Sequence, residues 1–252
     1  MNSRPFPLIL LISCLLILIP ACSEDDIPTV PVIPTIEDPL LASLSQEGAV
    51  ISQGFIDMIP AWAQGDLGGK ETTPPTWDPS CNCWRWSSNE GDVSDPLHTW
   101  GRNWSFALTI YQGETPQMEF EGADRIQVDI GYGYNASDYR DESNNSNTNF
   151  FINMELEITD FTAGMVYVEA VGLGEFSGYF MADGEYSQIY KEIILSLILT
   201  IPFGDCPSGG LDLDMDTTSF SLGFDGTTTA WWYYSVGPGD PEKGSINFVC
   251  GG

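Results

Sequence analysis

The stretch Phe150-Phe151-Ile152-Asn153-Met154-Glu155-Leu156-Glu157-Ile158 decides the fold. Phe150, Ile152, Met154, Leu156 and Ile158 fall on one side, and Asn153, Glu155 and Glu157 on the other. A period of two marks a strand with one buried and one wet face. The same period extends outward in both directions. Towards the N-terminus, Ile126, Val128, Ile130, Tyr132 and Tyr134 share a face. So do Trp100, Arg102, Trp104, Phe106, Leu108 and Ile110, and Cys81-Asn82-Cys83-Trp84-Arg85-Trp86 alternates as well. A polar loop is expected from Asn135 to Asn147.

Towards the C-terminus, Met165 to Phe176 carries Gly172 and Gly174, which suggest a bend. The Ala182-Asp183-Gly184 stretch signals a hairpin. Ile189 to Phe203 is almost wholly apolar from Ile193, which predicts a strand covered on both faces. Leu211, Leu213 and Met215 alternate with Asp212, Asp214 and Asp216, and Phe220, Leu222 and Phe224 lead to an Asp225-Gly226 turn. Ala230 to Val236 and Ser245 to Cys250 complete the series. The expected fold is mainly β, an antiparallel meander of about ten strands curled into a barrel or sandwich. This β domain spans 65–252.

One helix precedes it, over 40–64. Leu44, Gly48, Ile51, Phe55, Met58, Ile59 and Trp62 recur at three- and four-residue steps and form one apolar stripe. Asp38 before Pro39 is a cap with proline in the first turn. Gly48 and Gly54 weaken this helix, and Pro60 limits or kinks its end. The stripe is accompanied by no Lys or Arg, which favours packing on the domain over a membrane surface.

At the N-terminus Leu8 to Ile19 is an apolar run too short to span a bilayer, ending in Ile19-Pro20-Ala21-Cys22. This ending resembles the lipobox of bacterial lipoproteins. The resemblance implies a signal peptide over 1–21, a diacylglycerol thioether on Cys22 and acylation, as with palmitate, of the new N-terminus. Two or more acyl chains anchor a protein stably. Ser23 is not an aspartate, which leans towards the outer membrane, on its periplasmic or surface face. Glu24-Asp25-Asp26 resembles the surface-export signals of Bacteroidetes lipoproteins. Pro28, Pro31, Pro34 and Pro39 make 22–39 an extended acidic tether.

The chain of 252 residues has 36 acidic and 8 basic residues and a formal charge of −28. Such a surface repels nucleic acid and anionic lipid, so nucleic-acid binding is excluded as a function class. With Cys14 and Cys22 set aside, Cys81, Cys83, Cys206 and Cys250 are the disulfide candidates in an oxidising compartment. Either both bridges join the Cys-Asn-Cys to the C-terminal third, or Cys206 pairs with Cys250 and leaves Cys81 and Cys83 as a strained or reduced pair. Curling of the sheet would bring Cys81 and Cys83 beside Cys250.

No Gly-x-Ser-x-Gly, His-Glu-x-x-His or Gly-rich phosphate loop occurs, and His98 is the only histidine. Asp212, Asp214 and Asp216 resemble the opening of a calcium loop, but Thr217 and Gly223 break the EF-hand pattern. No cofactor is expected beyond this candidate calcium site. Trp84, Trp86, Trp231, Trp232 and Tyr233 are the candidate ligand-binding residues. Alternation puts Trp231 and Tyr233 on one face and Trp232 and Tyr234 on the other, so one set fills the core. The function these features favour is a lipid-anchored envelope protein, membrane-bound through Cys22, with a non-enzymatic binding or scaffolding domain. Its partner is a glycan or an envelope protein. A carbohydrate- or hydrophobe-binding module is the first alternative and a polysaccharide hydrolase the second.

Overall fold

The computed structural model describes residues 39–67, 74–141, 144–161, 164–182, 185–238 and 240–250. Cys22, the signal peptide, the tether up to Asp38 and the Asp183-Gly184 turn lie outside the described residues. One helix, α1 (Pro39–Ala63), is followed by twelve strands. These are β1 (Thr76–Asp78), β2 (Cys83–Asp95), β3 (His98–Gln112), β4 (Thr115–Gln117), β5 (Arg125–Asp141) and β6 (Asn144–Thr159). They continue with β7 (Met165–Ala182), β8 (Glu185–Pro202), β9 (Ser208–Met215), β10 (Thr218–Asp225), β11 (Thr229–Val236) and β12 (Glu242–Asn247).

All of them form one antiparallel sheet whose order follows the chain, except that β4 pairs only with β3. The expected meander is therefore present, but three features differ. The count exceeds ten because β1 and β4, three residues each, are too short to show an alternation. The ladder is also open: β1 and β12 are its two ends, so the sheet is not closed into a barrel. The expected polar loop over 135–147 is largely strand, with Asn135 opposite Asn149 and Ser137 opposite Asn147. A hairpin that projects past the core has no buried face, so its strands carry no apolar alternation.

The inner face of the sheet is filled by α1. Leu41, Leu44, Ile51, Phe55, Ile59 and Trp62 are fully enclosed. Their partners come from distant parts of the sheet. Phe55 meets Trp104 of β3 edge-on at 6.4 Å, and Trp62 meets Trp86 of β2 and Phe106 of β3, each at 5.6 Å. At Gly48 an added Cβ would lie 3.1 Å from Phe220 of β10, and at Gly54 it would lie 3.4 Å from Trp104. These two glycines let the helix backbone lie against aromatic rings, where their packing offsets the loss of helix propensity. Pro60 is accommodated inside the helix, which continues to Ala63.

One charge goes inside with the helix. Glu47 is fully buried and takes a two-pronged contact from Arg102 of β3, with Nε to Oε2 at 3.2 Å and Nη2 to Oε1 at 3.1 Å. The Tyr132 hydroxyl of β5 also donates to Glu47 Oε2. Arg102 reaches Glu90 at 3.1 Å and lies between the Trp100 and Tyr134 rings at 5.2 and 5.0 Å. Burial raises the pKa of Glu47, and its hydrogen bonds to Arg102 and Tyr132 offset only part of this rise. Burial also opposes the charge on Arg102, but the hydrogen bonds and charge of Glu47 outweigh it and hold the guanidinium protonated.

The chain end is pinned to the same helix. Gln53 donates to the Val249 carbonyl at 3.0 Å and accepts from the Val249 N–H at 3.1 Å. Cys206 bridges Cys250, and Cys81 bridges Cys83. Of the two pairing schemes, the structure adopts the one with local closure at Cys81 and Cys83. The Cys-Asn-Cys is not joined to the C-terminal third, because the open sheet does not bring β1 or β2 beside β12.

Two predictions follow from these contacts. Arg102→Leu strands the buried Glu47 carboxylate and lowers unfolding free energy by about 3–5 kcal/mol in urea melts, while Arg102→Leu with Glu47→Leu recovers most of the loss. Peptide mapping without reduction finds Cys206 linked to Cys250, and breaking that bridge with Cys250→Ser costs about 4 kcal/mol by loop-closure entropy.

Candidate functional site

With its inner face occupied, the sheet offers solvent its outer face. The outward side chains are the odd positions of β5, β6 and β7 and the even positions of β8 and β9. Strand register arranges them in rows. One row runs Ala107, Asp129, Glu155, Val171, Ser196 and Asp212. The next runs Ser105, Gly131, Asn153, Leu173, Ile194 and Asp214.

The expectation that the apolar run of β8 is covered on both faces is not met. Ile193, Leu195, Leu197 and Leu199 are buried, but Ile194 is 58% exposed and Ile198 is exposed beside it. No second layer lies over the outer face among the described residues. On β7, Leu173 is exposed opposite Ile194, and Val171 is exposed opposite Ser196, diagonal to Ile194 and Ile198. Gly174 faces inward where an added Cβ would fall 2.1 Å from the Phe151 carbonyl oxygen, so only glycine fits there.

Val171, Leu173, Ile194 and Ile198 therefore form an apolar island. By register its neighbours are Glu155 on β6, Glu169 and Glu175 on β7, Glu192 on β8, and Asp212 and Asp214 on β9. The island opens into a trough of about 810 Å³ that crosses the strands to Arg85 on β2, over a floor that includes Ser105, Ala107 and Gly131.

Three carboxylate pairs on this face stand directly opposite each other: Asp129 with Glu155, Glu157 with Glu169, and Glu175 with Glu192. Like charges in such pairs destabilise a sheet. Gln127 donates to Glu155 at 2.6 Å, Arg125 reaches Glu157 at 3.4 Å and the Tyr190 hydroxyl donates to Glu175 at 2.9 Å. Neither Asp129 nor Glu169 has an ion-pair partner among the described residues.

The aromatic candidates separate by face. Trp86 stacks on Phe106 in the core, and Trp232 lies over Gly244, where an added Cβ would come within 2.5 Å of its ring. Trp84 is half-buried, packs edge-on against Trp77 and donates to the Met118 carbonyl at 3.3 Å. Trp231 and Tyr233 stand on the outer face of β11, 49% and 46% exposed, whereas Trp232 is 6% exposed. Beside them lie Gly223 and Ser221 on β10, and beyond these Gly210 and Asp212 on β9.

The three aspartates do not converge. Asp212 and Asp214 are exposed on β9, while Asp216 sits in the following turn with φ of 46°. Among the described residues no group of three or more His, Cys, Asp or Glu side chains could hold a metal ion.

No family model, curated protein or solved structure matches the chain.

No signal in the sequence marks the outward apolar island, because an all-apolar strand reads the same whether or not a second layer covers it. The two faces also differ in how they bear truncation. Trp232→Ala lowers unfolding free energy by about 3–5 kcal/mol, whereas Trp231→Ala and Tyr233→Ala each change it by less than about 1 kcal/mol in the same melts.

Proposed function

We propose that the chain is a lipid-anchored protein of the bacterial cell envelope that works by binding, with the outer face of its sheet as the contact surface. One observation carries this reading: α1 fills the inner face, while Leu173, Ile194 and Trp231 stand exposed on the outer one. Large apolar side chains grouped on an open surface mark an interaction site. Because the interior is packed with the helix, the contact surface is external, and a hydrophobic cargo held inside the sheet is disfavoured. The lipobox-like Ile19-Pro20-Ala21-Cys22 supports attachment through Cys22, and the proline-rich tether supports a domain held away from the bilayer. Among the described residues no helix is long and apolar enough to cross a membrane.

A second reading, glycan binding, is favoured by Trp231 and Tyr233. Two exposed rings beside Ser221, Gly223 and Asp212 make a flat apolar platform with polar groups at its margin. Sugar rings bury their CH faces on such platforms and hydrogen-bond at the edges.

Replacing Cys22 by Ser releases the protein into the soluble fraction when cells are fractionated; retention in the membrane would refute the anchor. On a glycan array the full-length chain gives signals that Trp231→Ala and Tyr233→Ala abolish. An array without signals would remove the second reading and leave the first.

A further inference from the structure

We propose that the trough on the outer face of β2 to β8 is a docking site for a basic amphipathic helix of a protein partner. This rests on the outer face being the contact surface and is independent of the lipid anchor.

Shape is the first argument. The trough runs across five strand spacings, from Arg85 on β2 to Ile194 on β8, a span of about 24 Å. A helix of about 16 residues covers that length at 1.5 Å per residue. The floor of the trough carries Ser105, Ala107 and Gly131, which leave room for a helix backbone and its side chains.

Apolar chemistry is the second. Val171, Leu173, Ile194 and Ile198 protrude at one end of the trough, with Leu173 69% exposed. β8 has the composition of a strand covered on both faces, yet the fold covers one. The missing cover is an apolar face, such as one stripe of an amphipathic helix.

Charge selects the partner. Six carboxylates ring the island, and three pairs oppose each other across the face. Arg125 already meets Glu157, but Asp129 with Glu155 and Glu175 with Glu192 have no ion-pair partner among the described residues; each of these two pairs costs the free protein stability, and a cation placed between its members removes that cost. With a formal charge of −28, a second copy of the chain and an anionic bilayer are both repelled. A helix with Lys or Arg flanking a Leu or Ile stripe satisfies island and ring together.

The proposal is tested with the full-length chain and a fluorescently labelled Leu/Lys helix of about 16 residues, with a scrambled peptide of the same composition as reference. The amphipathic peptide binds about tenfold more tightly than the scrambled one in anisotropy titrations. Leu173→Asp with Ile194→Asp removes that preference. Glu155→Gln weakens binding while raising the thermal midpoint of the free protein, because it relieves Asp129. A purely structural role for Glu155 would not move the two readouts in opposite directions. Raising the salt weakens binding of both peptides but preserves their order.

Equal affinity for the two peptides, or a preference unchanged by the Leu173 and Ile194 substitutions, overturns the helix-docking proposal. Self-association of the chain through this face in sedimentation velocity does the same and assigns the face to a second copy. In those cases the glycan reading at Trp231 and Tyr233 is still tested by the array, so the two can fail separately. A thermal shift with calcium alone that Glu155→Gln abolishes, without peptide preference, assigns the carboxylates to a metal ion and also overturns it.

Discussion

The buried contact between Glu47 and Arg102 is the constraint on which the rest of the structure depends. A carboxylate inside a protein is tolerated only where its charge is met. Here the partners are Arg102 and Tyr132, on two adjacent strands, β3 and β5. Turning α1 by one residue, about 100°, would carry Glu47 away from both and bury it unpaired. The pair therefore sets the rotation of the helix within the sheet. The aromatic contacts at Phe55 and Trp62 and the close approach at Gly48 follow from that setting.

An antiparallel sheet whose ends do not meet must cover its inner face with something other than itself. α1 does this, and its enclosure accounts for the open ladder. Because the helix meets Trp104 on β3 and Phe220 on β10, it ties together strands far apart in the sheet order. The last residues reinforce this closure, through Gln53 with Val249 and through the Cys206–Cys250 bridge. A filled interior transfers the capacity for recognition to the outside. There, exposed Leu173, Ile194 and Trp231 coexist with carboxylates that the sheet itself does not neutralise.

Much of the fold is legible in the sequence because side-chain alternation is a local property of a strand. Phe150 to Ile158 reads directly as β6, and the turn at Asp225-Gly226 follows from residue type. The division of the late aromatics into Trp232 and Tyr234 inside and Trp231 and Tyr233 outside also follows from period two. The candidate surface is less legible. An apolar residue such as Ile194 carries no mark of whether a second layer covers it. The hairpin of β5 and β6 beyond Asn135 is hidden for the opposite reason, since both of its faces are polar.

The sequence by itself determined the strand succession, the helix and which side of most strands turns inward, because these depend on neighbours two to four residues away. Only the tertiary structure decided that the ladder stays open, that Cys81 pairs with Cys83, and that Glu47 meets Arg102, 55 residues away. It also decided that the outer side of β8 stays uncovered. Each of these depends on which distant surfaces come together, and that is set by the packing of the helix against the whole sheet.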